Sequence, residues 1–133
     1  MRCLRGRVAA IGFGCVVCFG QASAQQGYSY PQLRLVRQIA SATAMAELCG
    51  AAILQAKIAA ALKSVGLSLP DFEGPFLRDE RAKQRIVWRD SYEALAMTIV
   101  GRPEAFRRQC VNLASYYGPA GSAIPGLAVL GKR

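Results

Sequence analysis

Leu35, Ile39, Ala42, Ala46, Cys49 and Ile53 recur at alternating steps of four and three, the spacing of one face of an α-helix. Arg37, Gln38, Ser41 and Glu47 mostly fall off that stripe. The pattern predicts a first helix over residues 32–49, opened by Pro31, whose missing N–H costs nothing in a first turn. Gly50 reads as a C-cap or as a tolerated interior glycine. A break there is the favoured reading, with a second helix over residues 52–65 turning Ile53, Leu54, Ile58, Leu62 and Val65 inward and Gly66 ending it.

Residues 67–76 read as a connector. Its Leu67, Leu69, Phe72 and Phe76 are too apolar for a free linker, so it is expected to pack across the helices. A third helix is expected over 79–100, with Trp88, Tyr92, Leu95 and Ile99 as its apolar face and Gly101 as its stop. Pro103 then opens a fourth helix over 104–117, which offers Phe106, Cys110, Leu113 and Tyr117 to a core before Gly118 and Pro119 end it. The remaining residues, 119–133, mix turn formers with Ile124, Leu127, Val129 and Leu130. They read either as an extended strap laid on the helices or as a partner-binding segment. The expected fold is therefore all-α, a small four-helix bundle with an extended C-terminal tail.

The first residues change this picture. Arg2, Arg5 and Arg7 precede an uncharged, mostly apolar run over residues 8–20, and Ala22-Ser23-Ala24 follows. Basic, then apolar, then small-x-small is the order of a secretory signal peptide. The run is shorter than the roughly 20 residues a membrane-spanning helix needs. Residues 1–24 are thus expected to be cleaved after Ala24, leaving a single helical domain over 25–133 in the periplasm or secreted.

Export alters the cysteine arithmetic. Cys3, Cys15 and Cys18 leave with the leader, and Cys49 and Cys110 remain. Two cysteines in an oxidising compartment imply one disulfide with one connectivity. It would join the end of helix one to the middle of helix four, and its geometry requires those helices to be neighbours. Losing Arg2, Arg5 and Arg7 from 17 basic residues leaves 14 against 8 acidic ones, a formal charge of +6. A moderately basic exported chain meets anionic lipid headgroups, polysaccharide or acidic proteins. Nucleic acid is not expected, since no reader motif is present.

Chemistry is thin. The chain has no histidine, which removes the usual general base and the commonest metal ligand. There is no nucleophile elbow, phosphate loop or calcium-loop spacing. Asp79, Glu80, Asp90 and Glu93 sit among arginines and read as ion-pair partners, Arg89 and Glu93 being one turn apart. No enzyme activity, cofactor or metal is expected.

One charged pattern has a shape. Arg78, Arg81, Arg85 and Arg89 follow at steps of three, four and four, on one side of helix three. One reading is an anion or partner contact, because guanidinium forks suit phosphate and carboxylate. The other is a solvated face whose stems cover apolar neighbours, the usual fate of charge runs. If helix three is continuous, its first two turns overhang the core. Tyr28, Tyr30, Tyr92, Tyr116, Tyr117 and Trp88 are candidates for a ligand pocket or, more ordinarily, for core and rim.

Pro31-Gln32-Leu33 leading a helix that ends Glu47-Leu48-Cys49-Gly50, with Cys110 ahead of Tyr117-Gly118-Pro119 and a Pro-Gly-Leu tail, resembles a group of small exported alphaproteobacterial proteins. That resemblance implies periplasmic residence and a helical, single-disulfide domain, and no activity. A second similarity is to acid-activated periplasmic chaperones, also small, helical and cross-linked once. The expectation is a non-enzymatic interaction module contacting a protein or an anionic envelope component, with peripheral membrane contact included. The alternative is a periplasmic chaperone or stress protein.

Overall fold

The structure, a computed structural model, describes residues 27–131. The expected signal peptide, residues 1–24, lies outside the described residues. The described chain is mostly helical, with five helices where four were expected.

Helix α1 spans Tyr30–Cys49 and begins two residues earlier than the periodicity suggested. Ser29 and Gln32 form a capping box that satisfies two otherwise orphaned N–H groups: Ser29 N–H donates to Gln32 Oε1 at 2.9 Å and Gln32 N–H to Ser29 Oγ at 3.4 Å. Gly50 ends the helix at φ 67°, a left-handed conformation that glycine adopts without steric cost.

After that turn the chain departs from expectation. Ala52–Ile53 form a short strand, β1, and helix α2 begins only at Gln55, spanning Gln55–Ser64. The cause is the C-terminal tail. Its Ala128–Val129, strand β2, pairs antiparallel with β1, Ala52 opposite Val129 and Ile53 opposite Ala128. Leu54 N–H then donates to Leu127 O at 2.9 Å. Backbone groups that a helix would have satisfied internally are satisfied across the sheet instead.

Leu69–Glu73, within the expected connector, form the five-residue helix α3. Ser68 caps it: its Oγ accepts from Asp71 N–H, while Asp71 accepts from Ser68 N–H at 2.8 Å. Phe72 is buried from this turn.

Helix α4 spans Pro75–Ala96, four residues ahead of the expected 79–100 at both ends. Pro75 supplies the first-turn position after Gly74. Leu77 is fully buried, so the first turns of α4 pack and do not overhang. Trp88, Tyr92 and Leu95 do face inward, but Ile99 lies beyond the helix end and is fully exposed.

Helix α5 spans Arg102–Tyr117, with Pro103 in its first turn and Ala105, Leu113 and Tyr117 buried. The tail is a strap, with Ile124, Leu127 and Ala128 buried on the helices. Its path runs close to α5, where a Cβ at Gly121 would collide with the carbonyl of Tyr116.

α1 is the centre of the packing, against α2, α4 and α5 and the sheet. Its buried alanines, Ala40, Ala42, Ala44 and Ala46, let those neighbours approach closely. A smaller cluster of Tyr92, Ala96 and Ala105 ties the end of α4 to the start of α5. Cys49 and Cys110 form the disulfide, with Cα atoms 5.6 Å apart, linking the last residue of α1 to α5.

Candidate functional site

The four arginines share one side of α4 but not one role. Arg78 donates to the Glu73 carbonyl at 3.1 Å. Arg81 donates to the Phe72 carbonyl at 3.0 Å and to Glu73 Oε2 at 3.3 Å, with its guanidinium carbon 3.9 Å from the Phe72 ring centroid. These two hold α3 against α4, satisfying the last carbonyls of a very short helix.

Arg85 and Arg89 behave differently. Arg85 pairs with Glu47 on α1, and Arg89 donates weakly to its neighbour Asp90 at 3.4 and 3.5 Å and helps to lower Glu93. Both line a cleft of about 470 Å³, floored by Ala44, Ala82, Ile86 and Trp88. Ile86 is 50% exposed and Val87 56%. An arginine pair therefore stands beside an apolar patch on the solvent side of α4.

A second concavity is an open groove of about 1090 Å³ over the disulfide, lined by Leu48, Cys49, Phe106, Cys110, Val111 and Leu130. It is apolar, with Arg107 at its edge. Arg107 and Arg108 both donate to Glu104, at 2.7 and 2.9 Å, and hold its carboxyl down at about 2. Arg102 grips Glu93 with two hydrogen bonds of 3.2 and 2.9 Å and lowers it too. Asp71 is lowered by its hydrogen bonds from Ser68. All three carboxylates are held ionised, the opposite of what a general acid at neutral pH requires. Among the described residues no group of three or more histidine, cysteine or acidic side chains is placed to hold a metal ion.

The aromatic residues divide. Tyr28 stacks on Phe76 at 5.4 Å, and Trp88 stacks on Tyr92 at 5.7 Å, both as packing. Tyr30, Tyr116 and Tyr117 instead line two adjoining polar clefts beside α1, with Arg34 and Gln38. The buried stripe of α1 does not mark this side. The signal was present, since Tyr30, Arg34 and Gln38 are spaced by one turn each.

Compared with known families, characterised proteins and solved structures, the chain matches none. No helix among the described residues is long and apolar enough to cross a membrane.

Proposed function

We propose that this is an exported, non-enzymatic helical module that binds a protein or an anionic envelope component through the solvent side of α4. The observation that carries it is Arg89 beside the half-exposed Ile86 and Trp88 in a cleft that Arg85, held to Glu47, borders. Interaction surfaces are enriched in arginine and aromatic residues around an apolar centre. Arg81, tied to α3, is excluded from the contact. α1, α2, α4 and α5 are read as the expected four-helix bundle, with α3 a capped turn in its connector. The basic, then apolar, then small-x-small leader supports export, and the disulfide is compatible with it.

The test is affinity capture from envelope extract by the oxidised chain at low and high salt, with Ile86→Asp and Arg89→Glu as variants. A partner held at low salt and lost with either variant supports the reading. Capture indifferent to both rejects it.

One observation favours a chaperone as the second reading. Seven of the eight carboxylates are ion-paired, and Arg37–Glu80 and Arg85–Glu47 join α1 to α4. Acid strong enough to protonate Glu93 and Glu104, which their arginine partners keep ionised, would raise the net positive charge and loosen the helices. Suppression of client aggregation at acidic but not neutral pH would favour it.

A further inference from the structure

The side of α1 that packing leaves over carries Tyr30, Arg34 and Gln38 at steps of four. The end of α5 and the following turn run along this side and contribute Tyr116, Tyr117 and Ser122. Two clefts result, of about 300 and 340 Å³, and Arg34, Gln38 and Tyr117 line both of them. Among the described residues no carboxylate lines either cleft. Arg37, in the first, is occupied by Glu80 at 3.1 Å, whereas Arg34 has no hydrogen-bond or ion-pair partner among the described residues.

We propose that this double cleft binds a saccharide bearing a carboxylate or a phosphate. Arg34 presents a free guanidinium fork, the group that best matches the planar geometry of such anions. Tyr30 is 72% exposed and Tyr116 47%. Their ring faces carry negative quadrupole density, which attracts the C–H side of a sugar ring. The Gln38 amide and the Ser122 hydroxyl have no internal side-chain partner among the described residues and offer donors and acceptors to ring hydroxyls. The Tyr117 hydroxyl is pushed above its ordinary range by burial and by Tyr116 nearby, so it remains a proton donor. A few convergent polar groups around aromatic walls is the usual composition of a small-ligand site. An acidic peptide would satisfy Arg34 but has no matching use for the tyrosine faces. The site is separate from the α4 face, and neither reading depends on the other.

The test is an NMR titration of the oxidised mature chain with a galacturonate trisaccharide, a hexose phosphate, the neutral maltotriose, inorganic phosphate and a glutamate decapeptide. At least one anionic sugar is expected to shift amides within residues 30–41 and 115–123, and to bind at least tenfold tighter than maltotriose. Arg34→Gln and Tyr116→Ala, each checked for unchanged melting, are expected to weaken it tenfold or more, while Arg89→Gln leaves it unchanged. The proposal is overturned if neither anionic sugar shifts these residues. It is equally overturned if inorganic phosphate or the decapeptide binds as tightly as the sugar, or if Tyr116→Ala has no effect.

Discussion

Arg81 lies with its guanidinium carbon 3.9 Å from the centre of the Phe72 ring, and the same side chain donates to the Phe72 carbonyl at 3.0 Å. One residue of α4 thus covers the apolar part of α3 and caps its last turn. A five-residue helix cannot hold itself in water, so α3 rests on this contact together with its Ser68 cap and the buried Phe72. Arg81→Ala is expected to destabilise the fold by about 2 kcal/mol, from the lost charged hydrogen bond and cation–π contact. Arg81→Lys recovers only part, since an ammonium cannot reproduce the fork. Urea unfolding midpoints of the three proteins measure this.

The disulfide closes a loop of 61 residues. In the chain-entropy account its loss costs about 4 kcal/mol. Cys49→Ser with Cys110→Ser, or reduction of the wild type, is expected to lower stability by that order. Thermal melts with and without reductant check it, and the double variant should be insensitive to reductant.

Glu104 has an ordinary value of 4.5 and is held at about 2 in the folded chain by Arg107 and Arg108. Glu93 and Asp71 are lowered as well. A carboxylate depressed in the folded state stabilises above its unfolded value and loses that contribution as pH falls through its folded value. Stability is therefore expected to be level from neutrality down to pH 4.5 and to fall from there toward pH 2. Glu104→Gln should flatten part of that fall and leave the part owed to Glu93 and Asp71. Denaturant midpoints against pH, at low salt because these groups are exposed, give the comparison.

Leu127 is fully buried, and its carbonyl accepts from Leu54 N–H. The tail is thus part of the fold. Leu127→Ala is expected to cost about 3 kcal/mol, as cavity-forming core substitutions do. If the tail were a free partner-binding arm, its unfolding midpoint would not move.

The legible parts of the fold were those governed by periodicity and local breakers. The inward side of α1, the break at Gly50 and the stop at Gly118 follow from spacing and residue type, and the Cys49–Cys110 pairing from the expected loss of the other cysteines with the leader. The first strand was not legible, because Ala52 and Ile53 suit a helix equally well. Only a segment 75 residues further on, Leu127 to Val129, decides otherwise. The start of α4 is hidden in the sequence because Pro75 suits a connector as well as a first helical turn, and here it opens the helix. In the candidate site, the spacing of the four arginines sets them along one side of a continuous α4. It could not divide them, since what separates Arg81 from Arg89 is the nearby α3 and the Phe72 ring. Arg34 carries no signal of its own, since its side of α1 is marked only by lying off the buried stripe.

The most direct measurement places a photoreactive residue at position 86, in the arginine-flanked patch, and compares it with one at position 60, on the exposed side of α2. Irradiation in intact cells is expected to give a discrete cross-linked species from position 86, absent from position 60 and abolished by Arg89→Glu. Cross-linking equal at both positions, or unchanged by Arg89→Glu, would contradict the account of α4 as the binding surface.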